Sequence, residues 1–359
     1  MPRIPTSLIL QAYRNDPLLP MLLKECRTLD SARNELRWLR EKAIELSQSN
    51  PHMRHRGNHW RFHLWRMCSE RAKGRPLQYI LGDQPFGDLE ILCREGVLIP
   101  RGETESYTFH ATELILGSRK NWEHIIQSAG RPLRILDLCS GTGCISLLLH
   151  ALLSPYFCDL QILGVDASPR AIALAKQNMH HNIQRGLLSD RARQQVSFEL
   201  GDILNLSNSG VPNLTEVLDK HFAGDPTWDV LISNPPYISP SNFRDGTTAR
   251  SVRVYEPIEA LVPPDLDTSG FRSLGLDDVQ RADIFYPVLL SLVFRLGVKL
   301  AVFECGDIAQ ARRVIETGKT IARRFRHCDS VDMHIWHEDL GYADHWEGAG
   351  ARAIVLKAP

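Results

Sequence analysis

Arg134-Ile135-Leu136-Asp137-Leu138-Cys139-Ser140-Gly141-Thr142-Gly143-Cys144-Ile145-Ser146-Leu147 reads as a short buried strand, a turn of small residues and the start of a helix continuing through Leu148 and Leu149. Gly141 and Gly143 let a ligand approach the backbone, and the helix start offers free N–H groups. A dinucleotide is one candidate ligand. Its full G-x-G-x-x-G fingerprint is absent, however, because Cys139 and Ser146 stand where that pattern wants glycine or alanine. Asp137 would repel a pyrophosphate and suits a cation, such as the methionyl end of S-adenosylmethionine (SAM). Electrostatics therefore favours SAM over NAD.

Downstream, Leu160-Gln161-Ile162-Leu163-Gly164-Val165 reads as a second strand ending in Asp166, about twenty residues past the glycine turn, where a carboxylate can accept both ribose hydroxyls of a nucleoside. Ser168 and Pro169 predict the cap and first residue of a helix through Ile172, Leu174, Ala175 and Met179. A third strand, Val196-Ser197-Phe198-Glu199-Leu200, runs into Gly201-Asp202-Ile203, with Asp202 expected to hold an adenine amino group and Ile203 to pack on the ring. One carboxylate after a strand is usually a loop charge. Three at successive strand ends in an α/β alternation predict a ligand at the carboxyl edge of an open parallel sheet.

The apolar run Val230-Leu231-Ile232-Ser233 then stops in Asn234-Pro235-Pro236-Tyr237. Two prolines without N–H donors stiffen the loop and prevent it from extending the strand ladder. The Asn234 side chain and the Pro235 carbonyl are two fixed acceptors beside an aromatic ring, an arrangement suited to a planar NH2 group. A proline turn after a strand is the bland alternative; the glycine turn upstream weighs against it. Asn234, Pro235 and Tyr237 are the expected catalytic group, with Pro236 in the substrate wall. Asp137, Cys139, Ser140, Gly141, Thr142, Gly143, Asp166, Asp202, Ile203 and Asn234 are the expected cofactor-binding set.

At this point the chain resembles the protein-(glutamine-N5) methyltransferases of the HemK/PrmC family, which methylate the glutamine of the Gly-Gly-Gln loop of class 1 peptide-release factors. The resemblance also covers Gly74-Arg75-Pro76-Leu77-Gln78-Tyr79-Ile80-Leu81-Gly82, Phe86, and Val97-Leu98-Ile99-Pro100-Arg101-Gly102-Glu103-Thr104-Glu105. It extends to Tyr255-Glu256-Pro257 with Ala260-Leu261, Phe303-Glu304-Cys305-Gly306 with Gln310, Asp339-Leu340, and Ala353-Ile354-Val355. It implies a Rossmann-like α/β SAM-dependent methyltransferase with a mostly parallel seven-stranded sheet and a small N-terminal helical domain. The implied organisation is a helical substrate-recognition domain over 1–80, a β-hairpin linker over 81–100 and the catalytic domain over 101–359. Asn-Pro-Pro-Tyr is shared with amino methyltransferases of RNA and DNA bases, which leaves those as the alternative reading, and a catalytically idle SAM-binding protein as a third.

The chain departs from the family pattern at Cys139, which replaces a glycine, and at Ile203, where many bacterial relatives carry an aromatic. The segments 205–227 and 239–273 are longer and richer in Gly, Pro, Asn and Ser than the bacterial pattern. Loops of this length are commonly functional or disordered.

At 359 residues, the chain is long enough for a main core and an accessory domain. No apolar stretch approaches the roughly twenty residues that span a bilayer. Its eight cysteines are scattered without a C-x-x-C pair, which argues for a reducing compartment and against a zinc site or disulfide framework. Residues 1–75 hold fifteen Lys/Arg against seven Asp/Glu, with His52, His55, His59 and His63 nearby. A solvated helical surface explains this excess as well as a face for an acidic patch on a release factor, or for nearby RNA. The histidines lack a further ligand set, and no metal is expected.

Ser31 is the expected cap of a helix with Leu36, Leu39, Ala43 and Leu46 at core spacing, and a second helix is predicted from about His59 to Ala72, stopped by Gly74. By resemblance, this helical domain points to the bacterial or organellar branch and to a monomer whose partner is the release factor. Arg3 and Arg14 against one acid, Asp16, form a poor presequence, and the opening segment resembles fungal mitochondrial members. Mitochondria are the expected location, bacterial cytoplasm the alternative.

Overall fold

The computed structural model of the chain describes residues 3–48, 59–205, 210–221, 226–265, 276–325, 331–336 and 352–358. His52, His55, Cys328, Asp339 and Leu340, and parts of both long loops, lie outside the described residues. The chain divides into two compact units. One comprises Met1–Gln84, Cys93–Glu95 and Ala249–Tyr255; the other comprises Pro85–Leu92, Gly96–Thr248 and Glu256–Pro359.

The first unit is helical: α1 (Thr6–Asn15), α2 (Leu19–Cys26), α3 (Leu29–Gln48), α4 (His59–Ala72) and α5 (Leu77–Leu81). Leu22, Leu23, Leu39, Ala43 and Cys68 are fully buried between these helices. Arg71 on α4 grips the carboxylate of Glu35 on α3 with two nitrogens, at 2.8 and 3.0 Å. Two details differ from the sequence expectation. The hydroxyl of Thr28, rather than Ser31, caps α3, accepting from the Ser31 N–H at 3.2 Å. Leu46 is 39% exposed, because α3 runs on past Ala43, its last residue in the core. Gly74 takes the left-handed φ of +96° that stops α4.

The second unit is built on a seven-stranded sheet. Its strands are β3 (Leu133–Leu138), β4 (Leu160–Asp166), β5 (Val196–Leu200), β6 (Val230–Ser233), β7 (Leu300–Cys305), β8 (Asp332–Trp336) and β9 (Arg352–Lys357). The order is β5-β4-β3-β6-β7-β9-β8; β9 runs antiparallel to β7 and to β8, and the other pairings are parallel. This is the expected Rossmann-like, mostly parallel sheet. β3, β6 and β7 are buried along their whole length, as strands covered on both faces must be. From β3 the chain winds outward through β4 and β5, then returns to the other side of β3 as β6. That reversal opens a crevice at the carboxyl ends of β3 and β6.

The β3–β6 register is pinned at both ends. At the amino end, the buried Asp229 carboxylate accepts from the Arg134 N–H at 2.8 Å and from the Arg131 guanidinium at 2.6 and 3.0 Å. At the carboxyl end, the Ser233 hydroxyl donates to the Leu138 carbonyl at 2.8 Å.

Between the units' larger parts in sequence lies a two-stranded ribbon, β1 (Asp83–Phe86) and β2 (Leu89–Leu92). Two buried asparagines, four apart on α9, bind the free edge of β2. (The helices α6, α7, α8 and α9 are Gly102–Gly117, Arg119–Ala129, Cys144–Leu153 and Pro169–Gln184.) The Asn178 Oδ1 accepts from the Leu92 N–H at 2.7 Å, and the Asn182 Oδ1 from the Glu90 N–H at 2.9 Å. Asn178 also donates to the Thr142 carbonyl at 2.9 Å, which joins the glycine turn to the same helix. Sequence reading passed over this pair; a polar residue repeated at i,i+4 on the buried side of a helix was the available signal.

Capping is directly testable. Thr28→Ala should destabilise the chain by about 1 kcal/mol, whereas Ser31→Ala should change stability by less than about 0.5 kcal/mol. Denaturant midpoints of the two variants would check this, and an equal loss in both would overturn the assignment of the cap.

Candidate active site

A cavity of about 680 Å³ occupies the crevice at the carboxyl edge of the sheet. That volume suits a ligand the size of a nucleoside with an extended tail. The ends of successive strands bring Cys139 and Gly141, Asp166, Asp202 and Ile203, and Asn234 with Pro236 to its wall. Ser140, Thr142, Gly143, Asp137, Pro235 and Tyr237 are not in that wall.

The glycine turn is a left-handed bend. Cys139, Gly141 and Gly143 have φ of +60°, +53° and +77°. A cysteine in this conformation costs about 1–2 kcal/mol relative to the right-handed region, which explains why the family pattern has glycine there. Gly143 also has a packing role. A Cβ there would meet the Phe198 ring at 2.8 Å and Ala175 at 3.0 Å, so the glycine lets the turn settle on Phe198. Gly141 has open space over its Cα and does face the cavity.

Asp166 supports the turn as well as lining the cavity. Its Oδ2 accepts from the Gly141 N–H and its Oδ1 from the Ser168 N–H, both at 2.8 Å. Burial raises its pKa, and these two bonds oppose the rise. Each oxygen keeps a further lone pair. Asp202 accepts from the Leu204 N–H at 2.9 Å.

Asp137 is placed differently from the sequence expectation. It is fully buried behind the turn, where its Oδ2 accepts from the Ser146 hydroxyl at 2.6 Å and the Ser146 N–H at 3.2 Å. Its Oδ1 has no hydrogen-bond partner among the described residues. With nothing to solvate half of the carboxylate, burial pushes its pKa up to about 7. Ser146 thus has a role that its spacing from Gly143 concealed: its hydroxyl holds an acid, and glycine could not.

The Asn-Pro-Pro-Tyr segment leaves β6 beside the end of β7. Asn234 Nδ2 donates to Thr104 Oγ1 at 3.2 Å, and Thr104 Oγ1 donates to Glu304 Oε2 at 2.7 Å. The Tyr237 hydroxyl donates to the other oxygen of Glu304 at 3.0 Å. Its ring packs on Gly306, where a Cβ would meet it at 3.1 Å, and the Gln310 side chain donates to the Tyr237 carbonyl at 3.3 Å. Glu304 is fully buried; burial raises its pKa, and the Thr104 and Tyr237 hydrogen bonds pull it down.

Two stretches of the wall were not assigned to the site by sequence reading. Val97 and Leu98 form one side, and the strip Pro257–Ala260 with Val262, Pro263 and Pro264 forms another. The strip is fastened at both ends. Glu256 accepts from the Ile99 N–H at 3.2 Å and from Arg101 at 2.7 Å, while Arg281 donates to the Pro263 carbonyl at 3.2 Å and to Asp265 at 3.1 Å. Both stretches contain residues that the family resemblance singled out, without a role attached. Among the described residues, no helix is long and apolar enough to cross a membrane.

A family model described as a methyltransferase domain matches residues 130–234. The mitochondrial MRF1 N(5)-glutamine methyltransferase of Saccharomyces cerevisiae is 37% identical over 270 residues, or 73% of this chain and 68% of the relative. The probable mitochondrial MRF1 N(5)-glutamine methyltransferase of Schizosaccharomyces pombe is 35% identical over 261 residues, 72% of this chain and 73% of the relative. The release factor glutamine methyltransferase of Pasteurella multocida is 34% identical over 226 residues, covering 62% and 63%.

The buried acid behind the turn has a measurable signature. Unfolded, Asp137 titrates near pH 4; folded, near 7. Between those values the native state holds a proton that the unfolded chain has lost, so stability falls as pH rises, by up to about 1.4 kcal/mol per pH unit. Asp137→Asn keeps an acceptor for Ser146 and cannot ionise. Urea midpoints at pH 5, 6 and 7 should decline less steeply in the variant than in the wild type; parallel slopes would show that Asp137 is not the group responsible.

Proposed function

This chain belongs to the N5-glutamine methyltransferase family, and from that premise we propose that it methylates the side-chain amide nitrogen of the glutamine in the Gly-Gly-Gln motif of a class 1 peptide-release factor, using SAM. The observation that carries this reading is Asn234 on the cavity wall, with its amide nitrogen donating to Thr104 Oγ1 at 3.2 Å. The cavity's chemistry fits the cofactor. Asp166 offers carboxylate lone pairs for ribose hydroxyls, Asp202 an acceptor for an adenine amino group, Ile203 an apolar face for the ring, and Gly141 an open backbone. Bound there, SAM supplies an electrophilic methyl group on a sulfonium. The two fungal relatives are mitochondrial by name, and mitochondria are the proposed location.

A glutamine amide is a weak nucleophile because its nitrogen lone pair is delocalised into the carbonyl. In this reading Asn234 Oδ1 and the Pro235 carbonyl each accept one N–H of the substrate amide, which fixes its plane. As positive charge grows on that nitrogen, both bonds strengthen, so they stabilise the transition state more than the bound substrate. In the same reading the Tyr237 ring packs against the substrate's glutamine side chain. No base is needed, since the alkylated amide is acidic enough to release its proton to water.

The test is transfer of labelled methyl from SAM to a purified mitochondrial-type release factor, located by mass spectrometry, with a Gly-Gly-Ala factor and an RNA substrate as controls. One methyl on the Gly-Gly-Gln glutamine is expected. Asn234→Ala should lower kcat by about 100-fold or more, while SAM binding stays near wild type. Transfer to the RNA but not to the protein would overturn the assignment of substrate.

A further inference from the structure

Asn234 is an amide, and an amide meets a substrate either as an acceptor or as a donor according to how its plane is turned. The two orientations have nearly the same shape, so sterics alone do not select one. Selection requires a neighbour that can only accept or only donate. The carboxylate of Glu304 is that neighbour at one remove. It is fully buried, and when ionised it has no proton to give. Its Oε2 therefore takes the single proton of Thr104 Oγ1, at 2.7 Å. With that proton committed, Thr104 presents only lone pairs to Asn234, 3.2 Å away, and only the Nδ2 end of the amide can satisfy them. The row of hydrogen bonds has one direction, from Asn234 through Thr104 to Glu304.

We propose that Glu304 and Thr104 are positioning residues whose hydrogen-bond polarity fixes the Asn234 amide with its oxygen toward the substrate. The proposal rests on the reading of Asn234 as the acceptor for the substrate amide. Three further observations support it. Parallel pairing of Ser233 with Phe303 brings Asn234, the first residue after β6, level with Glu304 on β7. Thr104, near the start of α6, is 2% exposed, so water does not compete for its hydroxyl. The second oxygen of Glu304 accepts from the Tyr237 hydroxyl at 3.0 Å, so one carboxylate orients both ends of the Asn-Pro-Pro-Tyr segment. Both hydrogen bonds also lower the pKa of the carboxylate, against the larger rise that burial causes.

The logic predicts that an isosteric change can be worse than its size suggests. In Glu304→Gln the new amide can donate to Thr104. Thr104 is then free to donate to Asn234 Oδ1, and the Asn234 amide turns over. An NH2 group would then face the NH2 group of the substrate.

The experiment uses the full chain and measures kcat, the KM for the release factor, the SAM Kd and the melting temperature. Thr104→Ser retains the hydroxyl and should keep kcat within about threefold of wild type; Thr104→Val has nearly the same shape without it and should lose about tenfold or more in kcat. Glu304→Gln should lose at least as much as Thr104→Val. In both impaired variants the SAM Kd should stay within about twofold, a split that general loosening of the fold would not give. If Glu304→Gln fails to fold, the two substitutions at Thr104 still decide. Turnover of Thr104→Val equal to wild type, equal losses in Thr104→Ser and Thr104→Val, or SAM affinity falling in step with kcat would each overturn the proposal. Asn234→Ala, run alongside, separates the two ideas. An inactive Asn234→Ala with a fully active Thr104→Val rejects the positioning role alone, whereas an active Asn234→Ala rejects the underlying reading.

Discussion

The parallel pairing of β6 between β3 and β7 is the constraint on which the site depends. Because side chains alternate across a strand, a slip of one residue would turn each inward residue of β6 to the opposite face. It would also separate Asn234 from the end of β7. The register is held by buried polar groups at both ends of the β3–β6 pair, Asp229 with Arg131 and the Arg134 N–H at one end, Ser233 with the Leu138 carbonyl at the other. These contacts are directional where hydrophobic burial is not. Burial of the Val and Leu side chains supplies the drive for the sheet to form; the polar pins decide how it is aligned.

Acidic side chains in this fold serve the backbone as much as any ligand. Asp166 holds the N–H groups of Gly141 and Ser168, Asp137 holds Ser146, and Glu304 holds Thr104 and Tyr237. Burial raises the pKa of all three, and nearby donors oppose the rise. Asp166 and Glu304 have donors on both oxygens. Asp137 has them on one, and burial pushes its pKa up to about 7. Asp137 and Glu304 are fully buried, whereas Asp166 is half-buried at the cavity wall.

Much of the fold was legible because its signals are local. The strand read from Arg134 forms at 133–138, and the runs 160–166, 196–200 and 230–233 form the strands predicted for them; all four are mostly apolar. Ser168 and Pro169 start α9 as expected, with the Ser168 hydroxyl accepting from the Ala171 N–H. The errors were also local in kind. Thr28 and Ser31 are both acceptable caps by residue type, and only the position of the first helical turn distinguishes them. The packing of Gly143 on Phe198, 55 positions later, was not legible, because no local signal joins the two.

Residue order alone establishes the type and succession of the elements, the turn of small residues, and the stiff Asn-Pro-Pro-Tyr loop at a strand end, because each of these follows from bonding and steric rules within a few residues. It also supplies the segments around Thr104, Glu256 and Glu304, but no roles for them. Those roles exist only in the folded chain. Thr104 and Glu304 are 200 positions apart, and what joins them is a proton shared inside a core where water cannot take the place of either partner.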